Sequence, residues 1–318
     1  MPKREIKLPR LPQSIALHIG AHKTGSTHLQ KVLFKNRVLL SDEGIRCYGP
    51  SFLRKDGCNL GAMFGLSWSK GPLSGRTAHD QLAFLAKSKD RLVFSEENFV
   101  ETLSDKYGRL SLPVYPLAIE RLTELVETWA PIKPQLFLAV RNPASFLESV
   151  YSQVLFGSVF IEPSKFRAYN DWRKVDWADY ITKLRTIKGM GEIFVWRQED
   201  YQLTKRLIMR RMLRWEVGRK IKLIKGRVHQ SLSAPAVRQT LAWAKEGETG
   251  KHAERARKLL PVNAENKHFD LYDLDTIARA GLIYDAQMAK IEAMDDVTML
   301  HPPTHKQKGL KSTAKTAT

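Results

Sequence analysis

Cysteine is scarce, with Cys47 and Cys58 alone in 318 residues. That count excludes a disulfide framework, and neither cysteine has the paired spacing of a zinc site. No apolar run reaches the length a bilayer crossing needs. The opening stretch MPKREIKLPRLPQ is basic but lacks the apolar core of an export signal, so the chain is expected in the cytoplasm. Acidic residues are outnumbered, 33 against 52 lysines and arginines, for a net charge of +19. Such a field favours polyanions: nucleotides, nucleic acid, acidic glycans or anionic membranes. No helix-turn-helix, zinc-finger or RNA-binding signature accompanies it, and no internal repeat is present.

What is present is an alternation of apolar strands and amphipathic helices. SIALHIG, IRCYG, RLVFS, QLFLAV and EIFVWR read as strands. Helical spacing covers 26–40, HDQLAFLAKSK, 115–130, RNPASFLESVYSQVLFG and WADYITKLRTIKG. Asn142 can cap the fourth of these helices, and Pro143 suits its first turn. This order predicts an α/β fold with a parallel sheet flanked by helices. Residues 12–232 are expected to form the α/β core, with acceptor-cleft insertions at 49–75, a Gly/Ser-rich stretch that reads as an irregular loop, and around 158–172. Residues 233–295 are expected to add a helical part to the same domain, and 296–318 a disordered basic tail. Between Lys205 and Arg227 stand ten basic residues against Glu216 alone. Interleaved apolar residues make this an amphipathic helix that packs on the core, meets an acidic acceptor or lies on an anionic membrane.

The chemistry concentrates in LHIGAHKTGSTHLQ, Leu17 to Gln30. A strand enters a loop with Gly20 and Gly25 at P-loop spacing, and Ser26 and Thr27 open a helix. Backbone N–H groups in such a turn converge on an anion, and the helix N-terminus adds its field. A P-loop kinase or triphosphatase carries lysine where Ser26 stands. Here the lysine is Lys23, on the loop itself.

HIGAHKTGST resembles the 5′-phosphosulfate loop of the sulfotransferases that use 3′-phosphoadenosine 5′-phosphosulfate, and the chain is similar to their bacterial members from residue 15 to about 290. The resemblance implies a P-loop-like sulfotransferase fold and transfer of a sulfuryl group to a hydroxyl or amine, without a metal. It implies that Lys23, Thr24, Gly25, Ser26 and Thr27 hold the phosphosulfate, Lys23 acting also on the bridging oxygen. In the family an arginine at a strand end and a serine eight residues on grip the 3′-phosphate, and here Arg141 and Ser149 stand at that spacing. The family's late basic loop would correspond to KGRVHQSLS. It departs from Asn-x-Ser at His229-Gln230-Ser231, with Arg227 and Ser231 as its cofactor candidates. The base lies near a strand end in the family. RLVFSEENF offers Glu97 first and Glu96 second, and His22 in the loop is a third candidate.

The acceptor is expected among carbohydrates, lipids or small molecules, with an acidic glycan or lipid and peripheral membrane contact as options. Nucleic acid is not expected. Two other classes stand beside this reading. One is a nucleoside-triphosphate-dependent kinase or GTPase, which needs Mg²⁺. The other is a non-enzymatic nucleic-acid- or membrane-binding protein, which needs only the charge.

Overall fold

The structure is a computed structural model, and it describes residues 10–69, 73–224 and 231–303. Each of the five strands expected from the sequence pairs into one sheet, all in parallel register. β1 (Ser14–His18) leads through the glycine loop to α1 (Ser26–Lys35) and α2 (Arg37–Asp42). β2 (Ile45–Tyr48) is followed by α3 (Pro50–Leu53), α4 (Leu60–Phe64) and α5 (Ala78–Ala86). β3 (Arg91–Ser95), α6 (Ala118–Thr128), β4 (Gln135–Val140) and α7 (Pro143–Phe156) come next. α8 (Pro163–Tyr169) and α9 (Trp177–Arg185) precede β5 (Ile193–Arg197), and α10 (Tyr201–Met212) and α11 (Trp215–Lys220) follow it. The last third holds α12 (Ala234–Lys245), α13 (His252–Leu259), α14 (Leu274–Glu292) and β6 (Val297–Met299). The strand order is β2-β3-β1-β4-β5-β6.

Strand side chains alternate between two apolar layers, as a period of two requires of a sheet covered on both faces. Leu136, Leu138 and Val140 enter one cluster, with Leu122 of α6, Phe146 and Val150 of α7 and Ile181 of α9. Phe137 and Ala139 enter the other, with Leu29 and Val32 of α1 and Ile208 and Met212 of α10. Crossover helices on opposite faces leave the C-terminal strand ends open at the centre, around β1 and β4.

Three expectations change. Val297–Met299 is not tail: it pairs with Ile193–Val195 as the sixth strand. The charged residues around it hid a three-residue run that a neighbouring strand recruits. The expected tail beyond residue 303 lies outside the described residues. The 49–75 stretch contains two short helices, the second capped by Asn59 Oδ1 accepting from Ala62 N–H at 2.9 Å. The basic segment is two helices, α10 and α11, separated by Arg214 at φ 68°. α10 buries Ile208, Met209 and Met212 and leaves Arg206 and Arg211 exposed, which is the core-packing alternative. Among the described residues, no helix is long and apolar enough to cross a membrane.

Candidate functional site

The sheet ladder itself assembles the site. β1 keeps pairing with β4 past its own end: Ile19 N–H donates to the Phe137 carbonyl at 3.1 Å and Ala21 N–H to that of Ala139 at 2.9 Å. On the other flank, Glu96 N–H donates to the His18 carbonyl at 3.1 Å. The glycine loop therefore rises between the ends of β3 and β4. Glu96 and Glu97 stand on one side of it and Arg141 on the other.

The loop is wound tightly. Gly20, Lys23 and Gly25 have φ of 59°, 63° and 89°. Lys23 is not glycine, so its left-handed backbone costs about 1 kcal/mol or more, a strain typical of functional turns. At Gly20 a Cβ would stand 2.8 Å from Ser26 Oγ and 3.7 Å from Glu97 Cβ. At Gly25 it would meet Gln198 Oε1 at 3.0 Å. No side chain caps α1; His28 N–H turns back to the Gly25 carbonyl at 2.9 Å, which leaves the N–H groups of Ser26 and Thr27 as the helix start that can meet an anion. Ser26 Oγ and Gln198 Oε1 are buried without a hydrogen-bond partner among the described residues. A buried polar atom normally has a partner, and two beside one anion-ready loop fit a polar ligand there.

Lys23 Nζ donates to Gln153 Oε1 of α7 at 3.3 Å. Burial, then repulsion from Arg141, push its ammonium down to about 8, against attraction from Glu97, with Arg257 adding repulsion. Arg141 Nη1 donates to the Lys23 carbonyl at 3.1 Å, and Trp177 Nε1 donates to the Arg141 carbonyl at 2.7 Å. The Arg141 side chain thus touches the backbone of the glycine loop at Lys23. Asn142 caps α7, its Oδ1 accepting from Ala144 and Ser145 N–H at 3.1 and 3.2 Å. Ser149 is half-buried and lies one turn before Gln153 on the same face of α7, the face that meets Lys23.

The three base candidates have different surroundings. Glu96 is buried and accepts from Arg54 Nε and Nη2, both at 2.7 Å, and from Asn98 N–H at 2.9 Å. A carboxylate so engaged has little capacity left for an acceptor proton. His22 is fully used as well. Its Nδ1 meets the Tyr115 hydroxyl at 3.0 Å and its Nε2 the Asn98 Oδ1 at 2.8 Å. Asn98 Oδ1 only accepts, so the proton resides on Nε2, and burial pushes the imidazole pKa down. Glu97 is held more loosely. Gln30 Nε2 donates to its Oε2 at 3.0 Å, and Arg54 Nη2 lies 3.6 Å from its Oε1.

Thr24 is buried and its hydroxyl donates to the Ala21 carbonyl, so it shapes the loop. Thr27 is half-buried in the first turn of α1. Arg227 lies outside the described residues. Ser231 is half-buried shortly before Ser233, the cap of α12. Sequence reasoning passed over Arg54, Gln30, Gln153, Gln198, Asn98 and Tyr115. Their only signal is proximity in the fold: Gln153, Gln198, Asn98 and Tyr115 reach the loop, and Arg54 and Gln30 reach the glutamates beside it. A cavity of about 730 Å³ lies elsewhere, lined by Arg167, Trp172 and Tyr272 and by Arg279, Leu282 and Ile283 of α14. Gly281 of α14 faces Asn142, whereas Arg279 and Ile283 point from the opposite side of that helix. Within the 158–172 segment, Arg167, Asn170 and Trp172 line this outer cavity.

Comparison with known proteins finds no matching family model and no matching curated relative. Among solved structures, the chain is similar to a crystal structure of a sulfotransferase from Alicyclobacillus acidocaldarius. The identity is 14%, the TM-score 0.40, and the match covers 80% of this chain and 98% of that one.

Proposed function

We propose that the chain is a sulfotransferase that takes its sulfuryl group from 3′-phosphoadenosine 5′-phosphosulfate and passes it to a hydroxyl or amine. One observation carries this reading: the Arg141 guanidinium reaches the Lys23 backbone carbonyl at 3.1 Å, on a loop whose Ser26 hydroxyl is buried and has no partner among the described residues. A phosphosulfate on the loop would accept from the N–H groups of Ser26 and Thr27 and from the Ser26 hydroxyl. Arg141 and Ser149, beside it, would take the 3′-phosphate, with guanidinium and hydroxyl geometry suited to a terminal phosphate. Gln198 Oε1, an acceptor only, would receive a donor such as a ribose hydroxyl.

The bound nucleotide supplies the activated sulfuryl group. An acceptor oxygen would attack the sulfur in line. The new O–S bond would form as the bond from sulfur to the bridging oxygen breaks, leaving the electron pair on the phosphate. Lys23, held by Gln153, would stabilise that developing charge. Glu97 would take the acceptor proton, since it is the carboxylate beside the loop without a bidentate partner. Glu96 and His22 would act through position: Glu96 fixes Arg54, and His22 fixes the loop to Asn98 and Tyr115.

Thermal stabilisation by 3′-phosphoadenosine 5′-phosphate, compared with ATP and Mg²⁺, tests the reading. The bisphosphate is expected to raise the melting temperature in EDTA, and ATP is not. Stabilisation by ATP that depends on Mg²⁺ would replace this reading with that of a P-loop kinase or GTPase. Salt-sensitive binding to DNA or anionic vesicles, with no response to either nucleotide, would replace it with a non-enzymatic one.

A further inference from the structure

The cavity of about 730 Å³ on the outer side of α14 joins two kinds of wall. The first is apolar. Leu282 and Ile283 are 74% and 41% exposed, and Trp172 and Tyr272 line the same space. Arg279, Leu282 and Ile283 stand at i, i+3 and i+4, so they share one face of the helix. Apolar side chains this exposed leave water only when something covers them. The lining is also fixed in place. Asn170, part of it, is fully buried, with Oδ1 accepting from Leu110 N–H at 2.8 Å. Its Nδ2 donates to the Gly108 and Phe166 carbonyls at 3.0 and 2.9 Å. A pre-formed space of this size falls within roughly 300–1,000 Å³, the range of small-molecule pockets.

The second wall is cationic, and its charges are unequal. Arg173 is forked onto Asp171, Nε to Oδ1 and Nη2 to Oδ2, both at 2.9 Å, so that charge is answered. Arg167 and Arg279 meet only neutral groups. Arg167 Nη1 donates to the Leu271 carbonyl at 2.9 Å, and Arg279 Nη2 to the Thr276 hydroxyl at 3.3 Å. Among the described residues no carboxylate forms an ion pair with either. The Asp273 carboxylate lies in the field of both but caps α14, accepting from Thr276 N–H at 2.7 Å. Two such guanidiniums against one carboxylate leave a single positive charge beside an apolar wall.

We infer that this cavity binds an amphipathic monoanion, an apolar body carrying one oxyanionic head. The head would sit between Arg167 and Arg279 in forked hydrogen bonds. The body would cover Leu282 and Ile283 and lie against Trp172 and Tyr272. The site faces away from Asn142 and the glycine loop, so it is a second site and does not rest on the sulfotransferase reading.

Calorimetric titration of the full chain at matched ionic strength tests this, with naphthalene-2-sulfonate, octane-1-sulfonate, naphthalene-2-sulfonamide and methanesulfonate as probes. At least one of the first two is expected to bind below about 1 mM, and ring against chain reports which body is preferred. The sulfonamide, neutral but of the same shape, should bind at least tenfold more weakly, and methanesulfonate not at all. Arg279→Gln and Leu282→Gln replace exposed side chains, and an unchanged melting temperature shows that both fold. Arg279→Gln is expected to weaken sulfonate binding about tenfold, the scale of a lost charged hydrogen bond. Leu282→Gln should weaken it about threefold through lost apolar cover. Lys23→Ala should leave it unchanged. So should Arg206→Gln, which removes an exposed arginine of α10 on the other face of the sheet. Sulfonate binding that neither cavity variant weakens overturns the inference. So does binding lost in Lys23→Ala, which would put the sulfonate on the glycine loop. A sulfonamide or methanesulfonate that matches the amphiphilic sulfonates, or no binding of either sulfonate, overturns it as well.

Discussion

Lys23 carries two burdens, a left-handed backbone and an ammonium lowered to about 8. The second gives a signed pH effect. Below about 8 the free protein presents a charged lysine to the anion, and above it binding must first bring a proton. Affinity for 3′-phosphoadenosine 5′-phosphate is therefore expected to fall about tenfold between pH 7 and pH 9 by calorimetry. Lys23→Arg should remove that slope, because guanidinium stays charged throughout. Unchanged slopes in the two proteins would place the titration elsewhere. The glutamates should separate in the same way. Glu97→Gln is expected to lower kcat at least a hundredfold with nucleotide affinity kept. Glu96→Gln should instead lower the melting temperature, because Arg54 loses its bidentate partner. The loop residues were readable in the sequence because they are consecutive. Arg54 was not, since its contact with Glu96 spans 42 positions and starts from a stretch that reads as irregular.

At the scale of elements, α7 links both halves of the proposed site through its N-terminus. Asn142 caps it, the Asn142 N–H donates to Glu199 Oε1 at 2.9 Å, and Trp177 holds the carbonyl before it. Asn142→Ala is expected to cost about 1 kcal/mol in urea unfolding. It should also weaken nucleotide binding, since Arg141 is the adjoining residue. A stability loss with binding intact would mean that the cap does not position Arg141. This helix start was readable because Asn-Pro after a strand is a local signal. β6 was not, because three residues among charged neighbours carry no period of their own. Their strand character comes from the exposed edge of β5. The basic stretch was readable as amphipathic, but its break at Arg214 follows from tertiary packing.

Across the whole molecule, the sheet separates chemistry from anchoring. The C-terminal strand ends hold the loop, while the opposite end holds Arg91. Arg91 is buried and donates to Met212 O, Ser14 Oγ and Gln135 Oε1 at 2.9, 3.0 and 2.7 Å. Arg91→Ala should cost about 3 kcal/mol through these lost bonds, measured by urea unfolding. His18 lies in the sheet between, stacked on Trp196, and burial lowers its pKa to about 3. The fold keeps it neutral, whereas the unfolded chain protonates it below about 6.5. Its contribution to stability is thus full above that pH and is lost as pH falls toward 3. His18→Asn is expected to flatten the stability profile between pH 7 and pH 4.5 relative to wild type. The layered α/β architecture was readable from alternation alone. The meeting of Arg141 with Lys23 depends on strand order, which no local pattern encodes.

The central claim is that Lys23 and Arg141 grip the two ends of one nucleotide. Calorimetry in EDTA with 3′-phosphoadenosine 5′-phosphate and with adenosine 5′-phosphate, on wild type and Arg141→Ala, tests it most directly. Wild type should prefer the bisphosphate by at least tenfold, and Arg141→Ala should erase the preference while binding adenosine 5′-phosphate as before. Equal preference in both proteins would contradict the account.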